Sequence, residues 1–284
     1  MKFGAAIFPT AYAISMTELA PAVEQAGFES LWVAEHSHIP ASRQTPWPGG
    51  RELPKHYWHT MDPFVALTEA ALASKQLRVA TGICLVTQRD PIHTAKQVAS
   101  LDHLSNGRFL FGIGGGWNRE EMADHGTDFS TRWKLMRERV EAMKAIWTQD
   151  VSEYHGDMVD FGPMWCWPKP VQKPHPPVIL GGSGPNILKR VVRCGDGWMP
   201  NRGEILGRLD ELRELARAAG RKDIPVTVYP RPTAADLEQY ASAGIERCIY
   251  YLPPDGRDQA LRKLDELGEL IRPYRQVLNR ASEN

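Results

Sequence analysis

The sequence predicts one (β/α)8 barrel, an α/β TIM barrel, and three observations carry that prediction. Eight short apolar runs alternate with eight longer segments of helical period almost from end to end. The apolar runs are continuous, the pattern of strands buried on both faces of a parallel sheet. The chain has 284 residues, which suits a closed barrel of about 250 residues with some surplus. No linker and no repeat divides it, so residues 1–284 read as a single domain. An open doubly wound sheet is the alternative, disfavoured by eight regular units.

The elements follow in order. The first strand spans residues 3–8. Lys2 before it and Ala11-Tyr12-Ala13 after it imitate a secretory signal, but Pro9 cuts the apolar stretch short and favours a buried strand. Helix 17–26 opens on Thr17 and Glu18 and stops at Gly27. The second strand, 30–35, runs into Glu35-His36-Ser37-His38. An excursion over residues 40–61 follows, with four prolines, Trp47, Tyr57, Trp58, His56 and His59. Loops after barrel strands build the active-site face, so this excursion is a candidate lid or pocket wall. Helix 63–74 has Asp62 as its cap and Pro63 in its first position. Strand 78–86 holds Gly82 in its interior, the mark of a bulge or of a close approach by another group. Helix 91–104 ends at the turn Ser105-Asn106-Gly107, and strand 108–114 leads into Gly112-Ile113-Gly114-Gly115-Gly116-Trp117. Helix 132–147 is amphipathic, with Met136, Val140, Met143 and Trp147 on one stripe. A second excursion, 150–177, carries Trp165, Trp167 and six prolines. Strand 178–182 then opens Gly181-Gly182-Ser183-Gly184-Pro185-Asn186 and helix 186–194. Strands 197–200, 226–229 and 247–252 with helices 204–219, 234–243 and 258–271 complete the eight units. The surplus over a bare barrel falls in the two excursions, where substrate choice is expected.

Composition narrows the function. Lys+Arg and Asp+Glu number 34 each, giving a net charge of zero, against the basic excess of nucleic-acid and membrane-surface binders. No apolar run approaches the roughly 18 residues of a membrane helix. Cys84, Cys166, Cys194 and Cys248 lie far apart without C-x-x-C spacing, which suits a reducing cytoplasm better than a disulfide framework or zinc knuckle. The expected partner is a small-molecule substrate, with no nucleic acid and no membrane.

Four features could carry chemistry. His36 ends a barrel strand and so points into the mouth, where a general acid, base or ligand sits; the plain reading is an imidazole satisfied by a neighbouring carbonyl. His38 reads as an ordinary loop residue. The pair His36-x-His38 could hold a metal, as in barrel hydrolases, yet later strand ends supply no further His and only Asp255 trails the eighth, so no metal is expected. The glycines at 112–116 admit a close ligand or make a tight turn, and their spacing is not a dinucleotide fingerprint. Residues 181–184 opening a helix are a phosphate cradle: backbone N–H groups, the Ser183 hydroxyl and the positive end of the helix dipole.

These segments together resemble the luciferase-like monooxygenase superfamily, and within it the oxidoreductases that use the deazaflavin coenzyme F-420. The most specific parts are Ala26-Gly27-Phe28-Glu29-Ser30-Leu31-Trp32-Val33-Ala34-Glu35-His36, Ala95-Lys96-Gln97, Leu104-Ser105-Asn106-Gly107-Arg108, Lys169-Pro170-Val171-Gln172, Pro176 to Gly182 and Gly195-Asp196-Gly197-Trp198. The resemblance implies a barrel with the cofactor in its mouth and hydride transfer between carbon 5 of the deazaflavin and a stacked substrate. It places a non-prolyl cis peptide at Gly82–Ile83 behind the ring, His36 facing the reactive carbon, Gly115 and Gly116 along the cofactor, and Gly181, Gly182, Ser183 and Gly184 at its phosphate. His36 is the expected proton donor or acceptor, with Glu35 orienting it or merely capping a loop. Trp47, Tyr57, Trp58 and Trp117 are expected to wall the substrate pocket, each with a plain packing alternative. The chain departs from the sugar-phosphate dehydrogenases of the superfamily: Trp117 stands where they carry an acidic catalytic residue, and Pro40 where they carry a Trp. Their substrate is therefore not implied. FMN is the alternative cofactor, as in a flavin monooxygenase on the same barrel. A metal-dependent barrel hydrolase and a non-catalytic homologue are the remoter alternatives. A homodimer is the expected assembly.

Overall fold

Successive side chains of a strand leave opposite faces, and here the two sets have different destinations. The computed structural model describes residues 1–50, 52–200, 205–230 and 233–281, with side chains to residue 274. Its strands are β1 (Lys2–Ile7), β2 (Ser30–Val33), β3 (Arg78–Thr81), β4 (Phe109–Ile113), β5 (Ser152–His155), β6 (Asp160–Met164), β7 (Val178–Gly181), β8 (Gly197–Met199), β9 (Thr227–Val228) and β10 (Arg247–Tyr251). All but β5 and β6 form one parallel sheet in the order β8-β7-β4-β3-β2-β1-β10-β9. The ring closes where Trp198 bridges Val226 and donates its backbone N–H to Pro225 O at 3.0 Å. This is a TIM barrel.

Ala6, Trp32, Ala80, Leu110, Ile179, Met199 and Ile249 fill its interior. Their neighbours Ala5, Ile7, Leu31, Val33, Val79, Phe109, Phe111 and Leu180 face the helices. The Trp32 indole is the largest interior group, and its Nε1–H donates to Ser30 Oγ at 2.8 Å. Two glycines make room for it. A Cβ on Gly4 would stand 2.9 Å from the indole nitrogen, and one on Gly112 would collide with the Thr81 carbonyl oxygen and crowd the indole ring.

Several boundaries differ from the sequence expectation. β2 stops at Val33 and β3 at Thr81; a cis Gly82–Ile83 peptide follows β3, and the chain then turns through Val86–Gln88. The last helix runs Arg257–Ala281 rather than ending at 271. The expected start of a helix at Glu204 lies outside the described residues; Leu209–Ala218 is helical. Short helices at His56–His59 and Arg119–Asp124 were not expected. The Asp62 cap was: it accepts the N–H groups of Phe64 (2.8 Å) and Val65 (3.1 Å); Asp90, not singled out in the sequence, accepts that of His93 (2.8 Å) in the same way.

The second excursion does not reach the mouth, which corrects the expectation that both excursions shape substrate choice. It contains the antiparallel hairpin β5–β6 and then returns to the opposite end of the barrel. There Gln172 donates its backbone N–H and Nε2 to Asp102 at 2.9 and 2.7 Å, and Nε2 also to Phe109 O at 2.7 Å. Lys169 Nζ donates to the helix-terminal carbonyls of Ile146 (2.7 Å) and Gln149 (2.6 Å). The four cysteines are buried and free. Among the described residues no helix is long and apolar enough to cross a membrane.

At the same end Glu29 and Arg247 form a two-pronged pair, Nε to Oε2 at 2.9 Å and NH2 to Oε1 at 3.0 Å. Burial pushes the Glu29 carboxyl up, but the Arg247 hydrogen bond and charge outweigh it and hold it below its ordinary value. A depressed carboxyl stabilises the fold above its unfolded pKa, and that contribution is lost as pH falls through the folded one. Glu29→Gln should therefore cost about 1–2 kcal/mol near neutrality. In thermal melts its deficit against the parent should shrink below about pH 4, and a deficit constant with pH would contradict this account.

Candidate active site

Every barrel strand contributes to one cavity of about 310 Å³ at the C-terminal end of the sheet. Phe8 follows β1, Ala34 to His36 follow β2, Gly82 and Ile83 follow β3, and Gly114 to Trp117 follow β4. Gly181 to Ser183 end β7, and Met199, Tyr229 and Tyr251 come from the last three strands.

His36 is 9% exposed and held from two sides. Its Nδ1 lies 2.8 Å from Glu121 Oε2, and the Trp117 indole N–H donates to its Nε2 at 3.4 Å. A carboxylate accepts and an indole N–H donates, so these contacts suit the tautomer that carries its proton on Nδ1 and offers Nε2 as acceptor. Glu121 also accepts the backbone N–H of Ser37 at 3.2 Å through Oε1. The orienting acid is thus Glu121, not Glu35. Glu35 turns away: Oε2 accepts the backbone N–H of Leu85 at 2.6 Å and Oε1 pairs with Arg89. His38 diverges from His36 toward Asp124 at 2.9 Å, so the two rings do not converge on one centre.

The short helix Arg119–Asp124 explains this placement. Asn118 caps it, its side chain accepting the Glu121 N–H at 3.3 Å. Asn-x-x-Glu is a capping-box pattern that was readable in the sequence, although nothing there tied it to His36, which lies 85 residues earlier. The neighbouring Glu120 accepts the backbone N–H groups of Gln44 and Thr45, each at 3.1 Å, pinning the first excursion to the same helix.

The expected aromatic walls divide. Tyr57 and Trp117 line the cavity, their ring centroids 5.2 and 5.7 Å from that of His36. Trp47 packs edge-on against Tyr57 and lines an adjoining apolar chamber of about 590 Å³ that shares Phe8, Tyr57 and Tyr251 with the mouth. Trp58 does not belong: it is 48% exposed and lies against His59. Sequence reading missed Tyr229 and Tyr251, whose rings stack at 5.1 Å across the mouth. Burial raises both phenols, Tyr251 to about 12, so both stay protonated donors near neutrality. They sit at strand ends, but no pattern distinguished them from core tyrosines.

The glycines form the floor. A Cβ on Gly115 would stand 3.0 Å from the Trp133 ring, and one on Gly181 3.0 Å from Ile83. The cradle is narrower than expected. The Gly182 N–H donates to Met199 O at 3.1 Å and is not available to a ligand. The N–H groups of Gly184 and Asn186 have no partner among the described residues. Arg208 gathers the carbonyls of Ser183, Gly184 and Pro185 at 3.2–3.4 Å and brings a positive charge beside the loop.

The sequence pattern of the luciferase-like monooxygenase family matches residues 3–282. An uncharacterized protein of Mycobacterium tuberculosis is 38% identical over 275 residues, 94% of this chain and 97% of its own. An FMNH2-dependent dimethylsulfone monooxygenase of Pseudomonas putida is 29% identical over 197 residues, 67% of this chain and 54% of its own. An F-420-dependent glucose-6-phosphate dehydrogenase of Amycolatopsis mediterranei is 27% identical over 195 residues, 66% and 54% of the two chains.

Proposed function

This chain belongs to the luciferase-like monooxygenase family, and we propose that it is an oxidoreductase moving a hydride between coenzyme F-420 and a small organic substrate in the barrel mouth. The observation that carries this reading is the buried His36, fixed by Glu121 and facing a cavity floored by glycines. The residues present fit a flat ring bearing a phosphate. Gly114 to Gly116 and Gly181 to Ser183 line a slot that side chains would fill, and beside it lie the N–H groups of Gly184 and Asn186, without a partner among the described residues.

A bound deazaflavin supplies the carbon that gives or takes the hydride. The protein does the rest. Gly184, Asn186 and the helix Ile187–Cys194 behind them offer N–H groups and a positive dipole end to a phosphate. His36 moves a proton at Nε2 once the long Trp117 contact yields, and Glu121 steadies the imidazolium that results. Phe8, Tyr57 and Trp117 exclude water, and the chamber beside Trp47 has room for an apolar substituent of the substrate.

FMN is the second reading, favoured by the dimethylsulfone monooxygenase relative. Titration of the apoprotein with each cofactor, read by fluorescence, separates them. Deazaflavin binding at least tenfold tighter than FMN, a difference of about 1.4 kcal/mol, is the expected result. Tight FMN binding with none for the deazaflavin would overturn the assignment.

A further inference from the structure

The mouth opens sideways into the apolar chamber of about 590 Å³, which lies between the first excursion and the loop that follows β10. Phe8, Tyr57 and Tyr251 line both spaces. A molecule that reaches His36 can therefore extend past these three rings into the chamber. The walls there are rigid. Pro54 comes from the excursion and Pro253 and Pro254 from the β10 loop, where Thr10 Oγ1 donates to Pro254 O at 3.5 Å. The backbone N–H of Tyr57 donates to Pro54 O at 3.1 Å, and that of Met61 to Pro9 O at 2.7 Å, which ties the excursion to the end of β1. Trp47 folds back over its own loop, since a Cβ on Gly49 would collide with the indole ring. A space framed in this way is formed before any ligand arrives.

Free charge is scarce on these walls. Among the described residues lining the chamber the one cation is Lys263, paired with Glu266 at 2.8 Å, and no carboxylate lines it. The mouth adds only Glu35, which is turned to Arg89 and the Leu85 N–H. Arg43 lies over the Trp117 ring at 5.7 Å, outside the lining, and donates to Thr45 O. An anion entering the chamber would shed water without gaining a free counter-charge.

One polar group does face the chamber. His56 packs on Phe8 and Tyr57, with ring centroids 4.5 and 5.1 Å apart, and its nitrogens have no hydrogen-bond partner among the described residues. Burial lowers its affinity for a proton, against a weaker pull from Asp255, so the ring stays uncharged near neutrality. A neutral imidazole both donates and accepts, which suits a hydroxyl or a carbonyl oxygen. Five rings line the chamber, those of Phe8, Trp47, His56, Tyr57 and Tyr251, and their faces and edges favour another ring over an alkyl chain. A cavity of roughly 150 Å³ already takes benzene, so more than one ring fits.

We propose that the substrate's non-reacting arm is an uncharged aromatic group bearing a hydroxyl or carbonyl oxygen, seated in the chamber with that oxygen on His56 while the reacting carbon lies in the mouth. The inference rests on the mouth as the reaction site and is the same for either cofactor.

Isothermal calorimetry on the cofactor-free protein near neutrality tests it. The probes are 2-naphthol, its anionic counterpart 2-naphthoate, and 2-methylnaphthalene, which lacks the oxygen. 2-Naphthol should bind at least tenfold tighter than 2-naphthoate. His56→Phe keeps a ring against Phe8 and Tyr57, and it should weaken 2-naphthol by about 3–10-fold relative to 2-methylnaphthalene. Pro254→Trp fills the chamber and should abolish binding of both uncharged probes. Circular dichroism checks that both variants fold, and the comparison within the parent is independent of them. 2-Naphthoate binding as tightly as 2-naphthol would overturn the uncharged class and assign the chamber to an anionic arm at Lys263. An unchanged ratio in His56→Phe, binding that survives Pro254→Trp, or a parent that binds none of the three would overturn the seating. Each result is read without cofactor, so this inference and the deazaflavin assignment stand or fall separately.

Discussion

His36→Ala should lower kcat by about 10²–10⁴-fold, the usual worth of a positioned acid or base, with cofactor affinity changed by less than about threefold. The reason lies in the geometry. His36 has both ring nitrogens engaged by side chains and no backbone partner among the described residues, so its removal leaves Glu121 and Trp117 facing a hole and the reaction without its proton carrier. His36→Asn keeps a polar side chain of similar shape but cannot gain and lose a proton near neutrality, and it should be nearly as slow. Glu121→Gln retains the contact but not the charge, so it should cost less, about tenfold. Steady-state rates with a turned-over substrate and a parallel cofactor titration measure all three. Hydride transfer undiminished in His36→Ala would falsify the catalytic role and leave a packed histidine.

Arg89→Met should destabilise the fold by about 3–5 kcal/mol, the cost of leaving one member of a buried pair alone. That is a fall in Tm of roughly 6–15 °C for a chain of this size. Arg89 joins three structures: the Glu35 carboxylate, 5% exposed; Asp62, which caps the next helix; and Gln97 at 3.2 Å. Its guanidinium also lies over the Phe64 ring at 5.0 Å. Methionine fills part of the space but strands the Glu35 charge. Adding Glu35→Gln removes that charge while a hydrogen bond to the Leu85 N–H can persist, and the double variant should recover much of the loss. A double variant no more stable than Arg89→Met would show that lost packing, not the stranded charge, dominates.

The barrel was legible because strands buried on both faces leave an unbroken apolar run, and strand ends could be placed near His36, Gly114 and Gly182 for the same reason, whereas Gly82, read as strand interior, lies just past the end of β3. What sequence could not supply was partnership at long separation. Glu35 adjoins His36 in the chain, yet at a strand end adjacent side chains leave opposite faces, and the acid that reaches the imidazole comes from a helix after β4. Trp58 follows Tyr57, and one turn of helix sends them to opposite sides. Zero net charge likewise concealed a local excess: Arg208 stands beside the cradle, and Lys189 and Arg190 line a groove that contains Asn186.

The seam of the barrel at β9, only two residues long, has a consequence for how binding is felt elsewhere. Trp198 closes that seam through its backbone, and its indole N–H donates to Gly182 O at 2.9 Å, in the loop that leads to the cradle. One residue therefore closes the ring and holds the loop that leads to the cradle. For a ligand held at the cradle, as proposed above, opening of the seam and departure of the ligand would be linked, each lowering the free energy of the other. The slowest-exchanging amides should then spread from β1–β4 into β8 and β9 when the cradle is filled, so that occupancy is recorded as a hardening of the barrel's weakest joint.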